Sequence, residues 1–278
     1  MRRATRTLAI IAMTATFMGC ASQSTPATTA TTSPIQLSLH ATESTYPLAI
    51  DLARTYSHGQ VAIDISTSPF NPLLPNSVAD EETVRYLLSL HLNPAYTDRA
   101  IPVAQDAILV IASEDVAASN ITLEQLRAIY QGRVSDWEAI NGQEQPIVTV
   151  SRESGSDIRS EFERMVMGRS RISAGARLVT SDVQMIDIVR QTEGAIGYIS
   201  AGYRDQTMNF LRVDGIDGNN QAIVQGIYPL RTTVYLIGRQ PTDVMANDDF
   251  VWWVQGQAGQ RVISQRYIPL VPLTFDDN

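Results

Sequence analysis

The chain has 278 residues, 44% of them hydrophobic and 18% charged, so it can bury a substantial core as one large domain or two smaller lobes. Its formal net charge of -8 argues against general nucleic-acid binding, which needs a basic surface to replace phosphate counterions. The single cysteine excludes an intrachain disulfide and a cysteine-based metal cluster.

Residues 1–20 have the pattern of a bacterial lipoprotein signal peptide. Three arginines precede an apolar run that is too short to span a bilayer, and the run ends at Gly19 and Cys20. We expect Cys20 to become the lipidated first residue of the mature protein; an ordinary signal peptide with an incidental cysteine is the alternative. Residues 21–34 are rich in Ser, Thr, Ala and Pro and predict a flexible linker. An anchor followed by a linker places the folded part outside the cytoplasmic membrane.

From residue 35 onward, strand-like and helix-like patterns alternate. Strands are predicted at 35–39, 61–65, 107–112, 147–150, 195–199 and 233–237. Helices are predicted at 47–57, 122–132, from residue 154 onward, and at 181–191 and 250–264. Strands that alternate with helices predict an α/β fold, with mostly parallel sheets covered by helices on both faces.

Five segments occur in an order and spacing typical of one protein family. They are Ser44-Thr45-Tyr46-Pro47 and residues 121–137, 150–162, 194–200 and 226–230. Together they resemble the phosphate-binding component of ABC-type phosphate transporters, over about residues 37–270. The resemblance implies a type II periplasmic-binding-protein-like fold, in which a ligand cleft lies between two α/β lobes. We expect a discontinuous lobe 1 of residues 35–106 and 230–278, and a lobe 2 of residues 107–229.

The resemblance also implies a set of ligand-binding residues. Lobe 1 would contribute Thr45, Tyr46 and Ser68, and lobe 2 would contribute Arg152, Gly155, Ser156 and Asp157. Oxyanions bind at helix N-termini, where unpaired N–H groups and the helix dipole coincide, and an arginine adds charge-assisted hydrogen bonds. For Thr45 and Ser156 the alternative is plain helix capping, and for Arg152 it is a surface ion pair. As a cleft residue, Arg152 should be replaceable without loss of folding.

Two positions depart from the family pattern at the anion-binding loop. Asp157 and Ile158 stand where the family has a glycine and a threonine, and the family's glycine-serine cluster corresponds to residues 66–69, which contain no glycine. A carboxylate at a helix N-terminus occupies the place that suits an anion, and it would repel phosphate. Two functions therefore remain open: a transport receptor for phosphate or a related oxyanion, or a non-transport extracytoplasmic sensor or interaction protein with a degenerate cleft.

Catalytic and metal-binding patterns are missing from the sequence. The three histidines have no metal-ligand spacing, no serine sits in a nucleophile elbow, and no glycine-rich loop suits a nucleotide. We therefore predict a non-enzyme without cofactor or metal. Its predicted partners are a small oxyanion, an ABC permease and, through Cys20, the membrane. We expect a monomeric extracytoplasmic lipoprotein that does not bind nucleic acid.

Overall fold

The computed structural model describes residues 36–56, 62–67, 85–140, 142–238 and 249–271. The predicted signal peptide, Cys20, the linker and Ser68 lie outside these ranges. Among the described residues, no helix combines the length and apolar character that crossing a bilayer requires.

The described residues contain eleven strands. They are β1 (Gln36–Ala41), β2 (Ala62–Thr67), β3 (Arg85–Ser89), β4 (Ala100–Ala112), β5 (Asn120–Ile121), β6 (Val148–Arg152), β7 (Arg177–Val179), β8 (Ala195–Ser200), β9 (Asn209–Val213), β10 (Arg231–Gly238) and β11 (Ile268–Pro269).

Helices separate many of these strands. The α-helices are α1 (Tyr46–Thr55), α2 (Leu123–Tyr130), α3 (Asp157–Phe162), α4 (Asp182–Gln191), α5 (Asn220–Val224), α6 (Asp249–Gln255) and α7 (Gln257–Ile263). Short 3-10 helices cover Glu43–Thr45, Pro94–Arg99, Trp137–Ile140 and Ala201–Tyr203, and a π-helical turn, Glu163–Met167, continues α3.

The longest strand, β4, lies inside the sheet and joins its two halves. Its first part, residues 100–107, pairs with β10 and β11, and its last part, residues 108–112, pairs with β8 and β9. Parallel pairs lie on either side: β1 with β2 and β3, and β6 with β7 and β8. Every antiparallel pair of named strands contains β4 or β10. The predicted α/β class is confirmed.

Local sequence signals explain several of these elements. The six residues from Ala107 to Ala112 are apolar and almost completely buried, as expected of a strand covered on both faces. The predicted capping box of α2 is present, because the Thr122 side chain accepts from the Gln125 N–H and the Gln125 side chain accepts from the Thr122 N–H.

Residues of the family motifs form much of the core near the last part of β4, residues 108–112. Trp137 is fully buried, and its indole N–H donates to the Gly194 carbonyl at 2.9 Å. Gly194 has φ +67°, and a Cβ there would clash with the Pro146 carbonyl oxygen, so only glycine fits. The rings of Phe162 and Tyr198 stack at 4.1 Å. These motif residues therefore specify packing.

The closing helix differs from the prediction. In place of one helix over 250–264, α6 and α7 are separated at Gly256, whose extended backbone (φ -79°, ψ 171°) interrupts the helical path and forms the N-cap of α7. Apolar residues continue at helical spacing across the break, so the pattern did not reveal it. Strands β3, β5, β7, β9 and β11 and the first half of β4 were not predicted.

Candidate functional site

The first predicted loop follows β1. Ser44 and Thr45 are completely buried in the short helix that leads into α1, and Tyr46 is half-buried at the first position of α1. Thr45 occupies the N-cap position but makes no capping hydrogen bond. Its hydroxyl instead donates to the Leu88 carbonyl at 2.9 Å and lies 2.9 Å from the Thr42 hydroxyl. Thr45 thus fastens this loop to β3, and capping does not explain it.

The second predicted loop connects β6 to α3. Arg152 is the last residue of β6, and Asp157 is the first residue of α3. Between them, Gly155 adopts φ +90°, a conformation that favours glycine, although a Cβ there would meet no atom within 4 Å. Ser156 is at the N-cap position, yet its hydroxyl makes no capping hydrogen bond.

The Arg152 guanidinium lies inside the protein with two carboxylates. Arg152 is only 1% exposed. Its Nη1 is 2.7 Å from Asp182 Oδ2, its Nη2 is 2.9 Å from Glu43 Oε2, and Nη2 also donates to the Thr180 carbonyl at 2.8 Å. The alternative of a surface ion pair is therefore wrong, and the predicted role of Arg152 in anion binding stays a prediction.

Asp182 holds this cluster against neighbouring elements. Its Oδ1 accepts from the Ser200 N–H at 2.9 Å, and its Oδ2 accepts from the Ser44 hydroxyl at 3.2 Å. The Asp182 N–H donates to Glu43 Oε2 at 3.1 Å, and the Tyr203 hydroxyl donates to the Glu43 carbonyl oxygen at 2.8 Å. The loop after β1 is thereby tied to the start of α4 and to the end of β8.

The Asp157 carboxylate is a second buried anion nearby. It is 2% exposed, and its Oδ2 accepts from the Thr42 hydroxyl at 2.6 Å and from the Leu90 N–H at 2.9 Å. Its Oδ1 accepts from the Ile158 N–H at 2.8 Å. Burial raises the pKa of Asp157 above its ordinary value, although these three donors act in the opposite direction.

Two buried donors at this site have no acceptor in the part of the chain that the structure describes. Among the described residues, neither Arg152 Nε nor Ser156 Oγ has a hydrogen-bond partner, and both atoms are buried. Buried polar atoms are nearly always hydrogen-bonded, so each such atom calls for an explanation. Both belong to residues that the sequence predicted to bind an anion.

One cavity lies apart from the predicted site. It has a volume of about 650 Å³ and lies beside α3, next to His91, Glu161, Arg164 and Arg231, and none of the predicted ligand-binding residues that the structure describes contributes to its wall. Within the described ranges, no group of three or more His, Cys, Asp or Glu side chains is arranged to hold a metal ion.

The protonation of Glu43 predicts a pH dependence of stability. Burial and the neighbouring Asp182 carboxylate raise the pKa of Glu43 from 4.5 to about 8, and they outweigh the opposing charge of Arg152. The folded protein therefore keeps a proton that the unfolded chain releases above pH 4.5. The stability that this proton contributes is fully present below pH 4.5 and is lost as the pH rises through about 8.

We expect the free energy of unfolding, measured with urea, to fall by at least about 1 kcal/mol between pH 5 and pH 8. Glu43→Gln should flatten this decline. Burial also raises the pKa of Asp106 to about 7, so part of the decline in stability with pH should remain in Glu43→Gln. An identical slope in wild type and Glu43→Gln would contradict the assignment to Glu43.

The structure brings parts of the two predicted loops together. Arg152 and Asp182 contact the segment that contains Thr45, and Asp157 reaches Thr42 three residues before it. Sequence reasoning missed Glu43, Thr42, Leu90 and Asp182. Glu43 and Thr42 immediately precede the first motif, and Asp182 follows Ser181 like an ordinary charge at a helix start, so no local signal distinguished them.

Comparison of this chain with known proteins identifies its family. A family model described as a PBP superfamily domain matches residues 96–255, more than half of the chain. The phosphate-binding protein PstS of Bacillus subtilis (strain 168) is 24% identical over 182 residues, which cover 64% of this chain and 59% of that protein. PstS of Borreliella burgdorferi is 21% identical over 174 residues, which cover 59% of this chain and 62% of that protein. The match thus spans about three fifths of the length of these curated relatives.

Solved structures give the same fold. An ABC-type phosphate transport receptor from Vibrio cholerae matches with a TM-score of 0.69 and 22% identity, over 84% of this chain and 99% of that chain. A substrate-binding protein from Clostridium perfringens, assigned to phosphate ABC transport and solved with phosphate bound, matches with a TM-score of 0.73 and 21% identity, over 85% of this chain and 100% of that chain. The predicted resemblance is confirmed, and the chain belongs to the PBP superfamily.

Proposed function

We propose that this chain is an extracytoplasmic solute-binding protein that binds phosphate or a related small oxyanion and presents it to an ABC permease. The observation that carries this proposal is the pair of buried donors without acceptors, Arg152 Nε and Ser156 Oγ. Both donors suit a negatively charged oxygen. The relatives named above are phosphate-binding proteins, which supports the same ligand class and a role in binding instead of catalysis.

Ser156 gives the cleanest test of this proposal, because its hydroxyl makes no hydrogen bond within the described protein. We expect phosphate, titrated by calorimetry into the chain carrying Cys20→Ser, to bind with a measurable affinity at millimolar concentration or below. Ser156→Ala should weaken this binding about tenfold, since a hydrogen bond to a charged group is lost. The free energy of unfolding should change by no more than about 0.5 kcal/mol.

Sulfate and arsenate are titrated in parallel to define the ligand class. If Ser156→Ala binds phosphate as tightly as wild type, Ser156 does not contact the ligand. The receptor proposal fails if wild type and a variant without the Asp157 carboxylate both bind no oxyanion at millimolar concentration. The second candidate, a sensor or interaction protein, would then take its place; it is favoured by the pairing of Arg152 with the chain's own Asp182 and Glu43.

We also propose two lobes with the boundaries predicted from sequence, residues 35–106 with 230–278 and residues 107–229. The change of partners along β4, at residues 107–108, supports a boundary there. β10 pairs with the first part of β4 and would form the second crossing. Rotation of the lobes would alter the radius of gyration. Solution scattering of Asp157→Gly measures this quantity. We expect the protein to act as a monomer.

The proposed location rests on the sequence around Cys20. Metabolic labelling with a fatty-acid probe should mark the full chain and should be lost in Cys20→Ser, because Cys20 is the only thiol. Labelling that persists in Cys20→Ser would exclude this lipid anchor. Secretion of wild type in unlabelled, soluble form would favour an ordinary signal peptide.

A further inference from the structure

Asp157 makes the contacts expected of a bound anion. Its carboxylate accepts from a hydroxyl and from two backbone N–H groups, at 2.6, 2.9 and 2.8 Å. The Thr42 hydroxyl and the Leu90 N–H belong to the segments after β1 and β3, whereas the Ile158 N–H belongs to α3. Hydroxyls and backbone N–H groups are also the donors that proteins offer to phosphate oxygens.

The contact joins two parts of the chain that are far apart in sequence. Thr42 and Leu90 lie 115 and 67 residues from Asp157. One turn further along α3, Glu161 Oε1 lies 2.7 Å from His91 Nδ1, so the same helix contacts the segment after β3 a second time. The two contacts hold α3 against that segment.

A solute oxyanion and the Asp157 carboxylate would compete for the same place. Two negative charges at neighbouring positions in a buried site repel strongly, because the effective dielectric constant is far below that of water. Ser156, which precedes Asp157 directly, carries one of the two free donors. The carboxylate must therefore move, or lose its charge, before an anion can use that hydroxyl.

We propose that Asp157 is an internal ligand: its carboxylate takes the place of the solute oxyanion, holds α3 against the segments after β1 and β3 in the absence of solute, and determines which anions the site accepts. This inference rests on the proposed function for the identity of the competing solute. The contact of Asp157 with Thr42 and Leu90 does not depend on the proposed function. Wild type is accordingly a weak phosphate binder whose affinity is limited by its own side chain.

The test compares Asp157→Gly with Asp157→Asn and with the control Asp217→Gly. Asp217 is an exposed loop residue, so its replacement removes the same charge away from the site. Asp157→Gly should bind inorganic phosphate at least about tenfold more tightly than wild type. Its Leu90 amide should exchange with deuterium at least about tenfold faster, and its radius of gyration in solution scattering should be larger without phosphate. Asp217→Gly should match wild type in all three measurements.

Asp157→Asn keeps an acceptor oxygen for the Leu90 N–H and serves if the glycine variant folds poorly. It should keep that amide protected and bind phosphate less tightly than Asp157→Gly. Wild-type affinity equal to that of Asp157→Gly would overturn the inference and leave the proposed function standing. If no variant binds phosphate, the proposed function fails, and the exchange of the Leu90 amide alone decides whether Asp157 holds the two segments together. Unchanged exchange in Asp157→Gly overturns the inference in either case.

Discussion

Arg152→Ala is expected to lower the free energy of unfolding by about 3–5 kcal/mol, because it leaves the buried Asp182 carboxylate without its cation. Asp182, at 2.7 Å, has no exposed surface, and Glu43, at 2.9 Å, is only partly exposed. A protein of this size has a total stability of roughly 5–15 kcal/mol, so the loss would be severe. The large effect arises from the unpaired Asp182 charge that remains, since an intact buried ion pair adds little net stability.

Urea unfolding followed by circular dichroism measures this effect. Arg177→Ala is the matched control, because Arg177 is exposed on β7 and forms no ion pair among the described residues. The control should change stability by no more than about 0.5 kcal/mol. A loss below about 1 kcal/mol for Arg152→Ala would mean that solvent reaches the cluster. The expected instability also makes this variant unsuitable as a probe of binding, which is why Ser156 is used.

Trp137→Ala is expected to cost about 3–5 kcal/mol through a different mechanism, the creation of a cavity. The indole is fully buried at the end of the long motif that includes α2. Its removal also takes one of two donors from the Gly194 carbonyl, which keeps the Val148 N–H at 3.1 Å.

Trp252 on α6 offers a control of the same residue type. It is 62% exposed, so Trp252→Ala should cost less than about 1 kcal/mol. Equal losses for the two tryptophan variants would contradict the packing role assigned to Trp137. The phosphate affinity of any folded Trp137→Ala protein should equal that of wild type, because the hydrogen bonds of Trp137 among the described residues reach Gly194, Gln145 and Gly142 and no residue of the candidate site.

The sequence predicted the fold better than the site, for a physical reason. Periodicity identifies which face of an element is apolar, and the family motifs contain residues such as Trp137, Gly194 and Tyr198 that specify packing. These signals are local. A side chain that turns inward to meet Arg152 leaves no local signal, and Glu43 and Asp182 look like ordinary surface carboxylates beside a helix start.

Asp157 illustrates both the strength and the limit of the sequence argument. Its position at the start of α3 was predicted, as was its conflict with an anion. Whether the carboxylate turns away or stays could not be predicted, because its donors at Thr42 and Leu90 come from the segments after β1 and β3. Only the packing of α3 against those segments decides between the two outcomes.

The thirteen residues of β4, about 40 Å when extended, have a consequence for how the chain melts. Both sides of the sheet take their central hydrogen bonds from this one strand. If the strands on one side of β4 unfolded, β4 would lose half of its backbone hydrogen-bond partners. The strands on the other side would then pair with a weakened β4. Heating should therefore produce one calorimetric transition, with the van't Hoff enthalpy equal to the measured enthalpy, even though the chain is long enough for two independent folding units.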